Sequence, residues 1–471
     1  MFAKNLLRST LLFSMAVLPL TSAASSPAVQ VKVKPSSQAA ETTEKFTPTQ
    51  LKADLQSLRD FIDATHPDIS HSASPQQLAQ AFASIENSLT KPMTTNEFWH
   101  QTAKLNPLFN DAHWSVNLPE ADADMQQLIK KTGGVFPLEV HMRPDGELTV
   151  LALAGGGETP WRGATIESIN GVLAPVLSRQ LLALRHGDTP LNRANLLGPS
   201  FQLYYASLFG SPAEFSLQLK LNDKISEVKL PASKQAAVIG KTSENFLDNF
   251  SYRAINANTA YLKLGTFYWP DEQQIGTFTK EAFTQIQQSG ANTLIIDVRE
   301  NRGGNDSAWI DHLMPYLADQ PFRVGSHSKK KVIASRASAT EPAGLVIESE
   351  FKTWYQPQLK NPLRFQGKVV VLTGRRTYSS AVQFSNVMQD FGFAALVGEG
   401  SYARSRSTGG IQFFTLPHSK LDIIVPRFWA ARPQGGFTEQ LLTPDWLMPD
   451  DVTAPEALVQ AVTARLQPQS Q

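Results

Sequence analysis

The chain has 471 residues and no cysteine, and its 43 Lys and Arg nearly balance its 42 Asp and Glu. Because 42% of the residues are hydrophobic, packed cores are expected and wholesale disorder is excluded. The absence of cysteine excludes disulfides, thiolate zinc sites, iron–sulfur clusters and a cysteine nucleophile. A net charge of +1 gives no basic excess that would favour nucleic acid. Domains of ~100–200 residues make about three domains the expectation for this length.

Residues 1–23 have the tripartite pattern of a secretory signal peptide. Lys4 and Arg8 precede an apolar run over residues 11–20, and residues 21–23 (Thr-Ser-Ala) offer a cleavage signal. The apolar run is shorter than the ~20 residues that a membrane-spanning helix needs. We therefore expect an exported, soluble protein with no stable membrane anchor after cleavage. It is periplasmic if the source has an outer membrane and secreted otherwise.

The segment after the signal peptide changes from irregular to helical. Residues 24–47 are rich in Ser, Ala, Thr, Lys and Pro and predict a flexible leader. Residues 48–118 predict a helical region, in which Thr94 and Glu97 have the spacing of a capping box. Its apolar stripes are Leu51, Leu55, Leu58 and Ile62, and then Leu78, Phe82, Ile85 and Leu89. These stripes are core faces and carry no chemistry.

Residues 133–235 predict a β-rich module, because short apolar runs alternate with Gly and Pro. Within it, Arg162–Val172 reads RGATIESINGV and resembles the part of a PDZ domain that has the pattern GD-x-I-x-x-I-N-G. Ala164 stands where that pattern has Asp. A PDZ-like module would bind an extended peptide by strand addition. An ordinary β-rich domain with an Asn-Gly turn fits the same residues.

Residues 250–465 predict an α/β core. NTLIIDVR, KVVVLTG and AALVGEG are apolar runs typical of the buried strands of a parallel sheet. An amphipathic helix is expected over residues 271–288, and another over the segment SSAVQFSNVMQDFG. The fold class is therefore α+β and multidomain, with a helical region, a β-rich module and a core in which strands and helices interleave in a spiral.

Two turns of the core have residues suited to catalysis. Gly303 and Gly304 follow a buried strand, and their backbone N–H groups are suited to an oxyanion hole, although this motif taken alone favours a plain strand-to-helix turn. Ser379 and Ser380 lie between a strand and a helix, where an acyl-transfer nucleophile is favoured by the helix N-terminus. An N-cap serine is the simpler interpretation of that position.

Two further residues have side chains that could assist such a serine. His113 lies in the stretch LFNDAHWSV, and histidine is the usual partner of a serine nucleophile. The chain has nine histidines, so this position alone decides nothing. Glu439 lies in GGFTEQLLTPDW and, taken alone, is a surface glutamate.

Taken together, these stretches resemble the C-terminal processing (tail-specific) serine peptidases. IIDVRENRGG is similar to the family pattern D-x-R-x-N-x-GG, and TYSSAVQF…LVGEGSYAR is similar to S-x-x-E…VGE-x-x-Y-x-K. LFNDAHWSV is similar to L-x-D-x-H-x-x-V, which occurs in members that use histidine. The likeness covers most of residues 48–465. It implies a ClpP/crotonase-like α/β spiral as the peptidase core, a peptide or protein substrate, and neither metal nor cofactor.

The residues point to one branch of that family. Arg404 occupies the position of the catalytic Lys of tail-specific members, and arginine stays protonated and cannot accept the serine proton. The resemblance is therefore to the tricorn-core-like branch, which uses Ser, His and Glu. In this sequence those residues are Ser379, His113 and Glu439. The family's Glu three residues after the nucleophile is replaced by Val382.

The resemblance also implies roles for the neighbouring residues. The oxyanion would be held by the backbone N–H of Ser380 and by that of Gly303 or Gly304. Asp111 would brace the loop around His113. Arg404 is a candidate contact for a carboxylate of the substrate, and a surface role is at least as consistent.

Other functions remain alternatives. A catalytically inactive peptide-binding protein on the same scaffold is consistent with the lost Lys and Glu. A hydrolase of another ester or amide substrate would use the same three residues. The sequence lacks the G-x-S-x-G of α/β-hydrolases, the H-E-x-x-H of zinc peptidases and the glycine-rich turns of nucleotide-binding enzymes. Neither the oligomeric state nor the cleavage specificity follows from these patterns.

Overall fold

The computed structural model describes residues 44–119, 125–400, 402–435 and 441–467. The predicted signal peptide and all but the last four residues of the predicted leader lie outside the described residues. The helices are α1 (Pro48–Thr65), α2 (Pro75–Ser88), α3 (Thr95–Thr102), α4 (Asn106–Phe109), α5 (Met125–Thr132), α6 (Ala174–Leu182), α7 (Pro190–Leu197), α8 (Phe201–Phe209), α9 (Phe246–Asn249), α10 (Glu272–Ser289), α11 (Ser307–Ile310), α12 (Met314–Leu317), α13 (Ser380–Asp390) and α14 (Glu456–Leu466). Across these stretches, no helix combines the length and the apolar character that crossing a bilayer requires.

The strands form four sheets. In chain order they are β1 (Ser115–Val116), β2 (Leu138–Met142), β3 (Leu148–Leu153), β4 (Thr165–Ile169), β5 (Val172–Leu173), β6 (Glu214–Leu221), β7 (Lys224–Pro231), β8 (Phe250–Asn256), β9 (Thr259–Leu264), β10 (Thr293–Asp297), β11 (His327–Lys331), β12 (Val346–Glu350), β13 (Lys368–Leu372), β14 (Ala395–Gly398), β15 (Ser407–Gly409), β16 (Gln412–Thr415), β17 (Asp422–Val425), β18 (Phe428–Ala430) and β19 (Trp446–Leu447).

The predicted helical segments at the start of the described chain form α1 to α4. Glu97 N donates to Thr94 Oγ1 at 3.2 Å, and Thr94 N donates to Glu97 Oε2 at 2.8 Å, so the predicted capping box is present. The predicted apolar stripe of α1 is buried. It belongs to one hydrophobic core that also includes side chains of β2, β6 and β17. The helices therefore pack directly on both the β-rich module and a late segment of the chain.

The β-rich module is an antiparallel sheet in the order β2-β3-β4-β6-β7, with β5 paired to β4. The turn from β4 to β5 is Asn170-Gly171, with φ of 50° and 79°. Positive φ at both central residues is what a two-residue hairpin requires, and it explains the Asn-Gly pair. Both an ordinary β-rich domain and a PDZ-like module accommodate this hairpin, so the PDZ-like assignment stays a prediction.

The central sheet has the order β19-β14-β13-β10-β9-β8, with β19 to β9 parallel and β8 antiparallel. All five residues of β10 are buried. Leu294 and Ile296 face a core shared with α10 and α13, whereas Ile295 faces a core shared with α14. Helices on both faces explain why this strand is an unbroken apolar run.

The edge of this sheet determines where the reactive residues meet. β10 and β13 are neighbours with Asp297 opposite Leu372, so the segments 298–306 and 373–379 leave the sheet side by side. The segment around residue 113 is anchored at its C-terminal end by β1, in which Ser115 pairs with Ile424 of β17. Residues far apart in sequence are thereby brought to one region.

Candidate active site

The turn after β10 is braced by the buried polar residues of the motif DVRENRGG. Arg299 contacts Asp297 through Nη2 and Asp450 through Nη1, each at 2.7 Å. Asn301 is fully buried and donates to a backbone carbonyl at the end of β9 at 3.0 Å. Its Oδ1 accepts the Gly303 N–H at 2.8 Å. Because loss of one partner from such a buried network is costly, the turn is held in one conformation.

Ser379 is buried, and its backbone is in a strained conformation. Its φ is 55°, in the left-handed region that side chains other than glycine rarely adopt. It stands at the N-cap position of α13, yet its side chain makes no capping hydrogen bond. Ser379 therefore occupies the N-cap position without capping the helix. Within the described residues, Ser379 Oγ has no hydrogen-bond partner.

Ser380, in contrast, has its hydroxyl fully engaged. Ser380 Oγ donates to Asp306 Oδ1 and accepts a hydrogen bond from Trp309 Nε1 at 3.0 Å. Ser380 is buried, and burial raises the pKa of Asp306 to about 6. Of the two adjacent serines, only Ser379 has a hydroxyl available for chemistry.

Two backbone N–H groups beside Ser379 lack acceptors among the described residues, namely those of Gly304 and Ser380. The N–H of Gly303 donates instead to Asn301, so of the two predicted glycines Gly304 is the one with an available donor. A methyl group added at Gly303 would lie 2.9 Å from both Ser379 Cβ and Ser380 N. The glycine turn therefore lies in van der Waals contact with the serine turn, as an oxyanion hole requires.

His113 lies between α4 and β1 in the chain. Its side chain is held by hydrogen bonds that run through Thr408 to Asp111. Its Nδ1 lies 2.9 Å from Thr408 Oγ1, and Thr408 Oγ1 donates to Asp111 Oδ1 at 2.9 Å. The same Asp111 Oδ1 accepts the backbone N–H of His113 at 2.8 Å. The predicted bracing role of Asp111 thus has a geometric basis, and Thr408 links the carboxylate to the imidazole.

The ring of His113 lies against the residue that precedes Ser379. The ring centroids of His113 and Tyr378 are 4.9 Å apart, at an interplanar angle of 44°. The fold therefore brings His113 to the serine turn. No hydrogen bond joins His113 to Ser379 in the structure.

A second buried carboxylate, Asp188, ties the two loops together. Its Oδ1 accepts from Ala112 N at 2.8 Å and from Tyr378 Oη at 2.7 Å. Its Oδ2 accepts from Arg404 N at 2.9 Å. One carboxylate thus contacts the histidine loop, the serine turn and the segment after β14, which fixes their relative positions.

Burial dominates the protonation of this cluster. It lowers the pKa of His113 to about 4, although the charge of Asp188 acts in the opposite direction. Burial also raises the pKa of Asp188 to about 6, with a further rise from the charge of Asp111. For Asp111, burial raises the pKa to about 6 against hydrogen bonds from His113 N and Thr408. The imidazole is therefore neutral at pH 7 and able to accept a proton.

Two predicted site residues remain, Arg404 and Glu439. Arg404 Nε donates to Asn110 O at 3.0 Å, so part of its guanidinium holds the histidine loop. Its contact with a substrate carboxylate stays a prediction. Glu439 lies outside the described residues. Within the described ranges, no group of three or more His, Asp and Glu is arranged to hold a metal ion.

Comparison with known families gives a match to the centre of this site. Residues 258–447, which include the glycine and serine turns, match the model of peptidase family S41. The chain carries an S41 domain. Over these residues the match confirms the predicted peptidase family, and with it the enzyme class, a serine-type peptidase whose substrates are peptides or proteins, while the tricorn-core-like branch stays a prediction. Comparison with curated proteins found no match.

Solved structures extend the likeness beyond the S41 domain. Mature CPAF has a TM-score of 0.61 at 13% identity, covering 88% of this chain and 96% of that chain. Mature CPAF complexed with lactacystin has a TM-score of 0.61 at 13% identity, covering 89% and 98%. The photosystem II D1 C-terminal processing protease has a TM-score of 0.46 at 15% identity, covering 86% and 96%. At this identity the CPAF structures show a shared fold, and the predicted mixed α/β multidomain class is confirmed.

Three residues of the site were not predicted from the sequence, namely Thr408, Asp188 and Tyr378. Thr408 lies four residues after the position of the family's Lys, in SRSTGG, where no local pattern indicates a functional residue. Asp188 lies in HGDTP, which is typical of a turn. Tyr378 stands directly before the predicted nucleophile, and this adjacency was the one available signal.

Proposed function

We propose that the protein is an exported serine-type peptidase that hydrolyses peptide bonds through an acyl-enzyme on Ser379, with His113 as general base. Glu439 would orient the imidazole, directly or through another polar group, as the family resemblance implies. The observation that carries the proposal is the surroundings of Ser379. Its backbone has a φ of 55°, and neither its hydroxyl nor the N–H groups of Ser380 and Gly304 have a hydrogen-bond partner among the described residues. Strain of this kind, costing of order 1–3 kcal/mol, persists mainly at functional sites.

The hydrogen bonds of Thr408 support one tautomer of His113. The Thr408 hydroxyl has a single proton, and that proton is donated to Asp111 Oδ1. The short contact between Thr408 Oγ1 and His113 Nδ1 then requires Nδ1 to carry the proton. Nε2 is left as the basic nitrogen, which is the atom that takes the serine proton in a triad of this type.

The reaction would proceed in two halves. Ser379 Oγ attacks the scissile carbonyl carbon while its proton passes to His113 Nε2. The oxyanion accepts hydrogen bonds from the N–H groups of Gly304 and Ser380, and the amine leaves with the proton held by His113. A water molecule then gives its proton to His113 and attacks the ester, and the carboxylic product is released with Ser379 Oγ reprotonated.

The separation between His113 and Ser379 must close before attack. Catalytic hydrogen bonds are often long in enzymes without substrate and shorten in the Michaelis complex. Asp188 supports a small rather than a large movement, because it already contacts both the loop of His113 and Tyr378. Substrate binding would therefore adjust side chains on a framework that is already assembled.

Replacement of each reacting residue tests the proposal. We expect Ser379→Ala and His113→Gln each to lower kcat for a cleaved peptide by roughly 10⁴-fold or more. Ser335→Ala and His418→Gln, which lie away from the site, are the matched controls and should retain wild-type kcat. Full activity in either reacting-residue variant would contradict the assignment.

Export is tested on the protein itself. N-terminal sequencing of the protein recovered outside the cytoplasm should begin after Ala23, as the cleavage signal predicts. Recovery of an uncleaved chain in the cytoplasm alone would contradict the export proposal.

A second function has one observation in its favour. The absence of a hydrogen bond between Ser379 and His113 is also what an inactive peptide-binding protein on this scaffold would have. That alternative predicts peptide binding without cleavage, and without reaction of Ser379 with a serine-directed phosphonate. The kinetic comparison above separates the two functions.

A further inference from the structure

The glycine turn and the serine turn are joined by a backbone hydrogen bond next to the central sheet. The N–H of Tyr378 donates to Asn301 O at 3.0 Å, ahead of Gly304 in one turn and ahead of Ser379 in the other. Beyond this point the described residues have no backbone hydrogen bond between the two turns. The separation of the two proposed oxyanion donors, the N–H groups of Gly304 and Ser380, is therefore not set by backbone pairing between the turns.

Gly304 is held on its own side of the site by the backbone of Phe267. The N–H of Phe267 donates to Gly303 O at 2.9 Å, and the N–H of Asn305 donates to Phe267 O at 2.8 Å. A methyl group added at Gly304 would overlap the carbonyl carbon of Phe267. These contacts orient the Gly304 peptide, but they do not reach the serine turn.

Asp306 connects the glycine turn to Ser380. It lies two residues after Gly304, and its Oδ1 accepts the hydroxyl proton of Ser380. The same hydroxyl accepts a hydrogen bond at 3.0 Å from Nε1 of Trp309, whose side chain is fully buried. Because a hydroxyl group has one proton to donate, these two bonds fix its orientation. The residue that supplies one proposed donor is thereby tied to the segment that supplies the other.

The carboxyl group of Asp306 does not serve the helix that begins beside it. Asp306 is the N-cap residue of α11, and its backbone carbonyl accepts the N–H of Ile310 at 2.9 Å. Aspartate at this position usually accepts an N–H of the first turn through its side chain. Here the side chain makes no capping hydrogen bond. It contacts Ser380 instead, which lies 74 positions away in the chain.

We propose that Asp306 is a positioning residue, which fixes the distance between the Gly304 N–H and the Ser380 N–H so that both donate to one oxyanion. The inference rests on the proposed peptidase function and adds a residue to its site. Asp306 acts through Ser380 and does not touch the substrate. Preorganised donors stabilise the transition state because they need no rearrangement when the negative charge develops. Loss of the contact should therefore slow the reaction without weakening substrate binding.

Variants that remove or keep the contact test this role in the full-length mature enzyme. Asp306→Leu has a similar size and no acceptor, whereas Ser380→Ala lacks the hydroxyl but keeps its backbone N–H. We expect each to lower kcat about ten- to hundred-fold at unchanged KM. The double variant should be no slower than the slower single variant, because both changes remove the same bond. Asp306→Asn keeps an oxygen acceptor and should restore kcat to within about five-fold of wild type.

A transition-state analogue separates positioning from a general loss of structure. Ser379 Oγ adds to the carbonyl carbon of a peptidyl trifluoromethyl ketone, its proton passes to His113, and a stable oxyanion forms. The inhibition constant should rise by the factor by which kcat falls in Asp306→Leu and in Ser380→Ala. The affinity of the parent peptide, measured in a Ser379→Ala background, should stay unchanged. Asp311→Leu, at an exposed position directly after α11, is the matched control and should behave as wild type.

Each outcome decides the inference. Wild-type kcat in Asp306→Leu or Ser380→Ala, additive losses in the double variant, or an analogue affinity that does not follow kcat would overturn the positioning role and leave the peptidase function standing. If Asp306→Leu does not fold, the comparison of Ser380→Ala with Asp306→Asn decides in the same way. Absence of both cleavage and phosphonate labelling of Ser379 in wild type would overturn the proposed function and this inference with it.

Discussion

The hydroxyl oxygen of Thr408 lies 2.9 Å from Nδ1 of His113, although 295 positions separate the two residues in the chain. The same hydroxyl donates to Asp111 Oδ1, so a neutral side chain stands between the imidazole and the carboxylate. This arrangement keeps the full negative charge of Asp111 one group away from the ring. It orients the proposed base without requiring a direct carboxylate–histidine contact.

Thr408→Val tests that link. Valine has a similar shape but cannot accept the Nδ1 proton, so the ring loses its orientation and its tautomer. We expect kcat to fall about ten- to hundred-fold, the cost of a lost hydrogen bond near a charged group. Thr408→Ser should restore most of the activity in the same assay. A valine variant with wild-type kcat would show that the Thr408 contact is structural only.

Asp111→Asn should raise the stability of the fold and lower the activity. Burial raises the pKa of Asp111 to about 6, so the folded protein disfavours the charged form above that pH. The penalty disappears as pH falls from about 6 towards the ordinary value near 3.8, where the unfolded chain also becomes protonated. At pH 8 we therefore expect the asparagine variant to unfold with about 1–3 kcal/mol more free energy than wild type, and with lower kcat.

Urea unfolding at pH 8 and pH 4 measures this difference, which should be smaller at pH 4. Asp63→Asn, an exposed position on α1, is the matched control and should leave the unfolding free energy unchanged at both pH values. A stability loss for Asp111→Asn at pH 8 would mean that the carboxylate stabilises the fold, contrary to expectation.

The pH profile should reflect the buried imidazole. Burial lowers the pKa of His113 to about 4, so the basic form persists well below the pH at which an ordinary histidine is protonated. We expect kcat/KM for a neutral peptide to be high at pH 7 and to be lost as pH falls through about 4. Since burial raises the pKa of Asp188 to about 6, Asp188 is already neutral at the pH where His113 titrates, and Asp188→Asn should leave this limb in place. A limb near 6.5 would contradict the assignment of the base.

Gly303→Ala tests the contact between the two turns. The added methyl group would lie 2.9 Å from Ser380 N and would also meet Ser379 Cβ, at a φ of 99°. We expect kcat to fall about 100-fold or more, because the oxyanion donors are displaced. Gly290→Ala is the matched control, since it has a φ of 70° and nothing within 4 Å of the added group. It should lose about 1–2 kcal/mol of stability and retain kcat. Equal kcat values for the two variants would argue against the oxyanion role.

The parts of the site that follow from local pattern could be predicted from the sequence. The buried strands before Gly303 and before Ser379 are both distinctive apolar runs. The carboxyl ends of such neighbouring parallel strands lie at the same edge of the sheet. Sequence also separated Ser379 from Ser380 through the family spacing, which agrees with the engagement of Ser380 by Asp306 and Trp309.

The contacts between distant segments could not be predicted, because no local signal records them. Asp188 has the sequence surroundings of a turn, and its role exists only because β1 and α13 bring Ala112 and Tyr378 to it. The choice between Gly303 and Gly304 likewise depends on the amide of Asn301, whose orientation is a tertiary feature. Such residues are identified by their partners rather than by their neighbours in the chain.

The most direct measurement of the central claim is the site of covalent modification by a serine-directed phosphonate. The folded wild-type protein is treated and digested, and the adduct is located by tandem mass spectrometry. We predict a single adduct on Ser379, formed much more slowly in His113→Gln and absent from Ser379→Ala. An adduct on another serine, or no adduct in a preparation that cleaves peptides, would contradict the assignment of Ser379 as nucleophile.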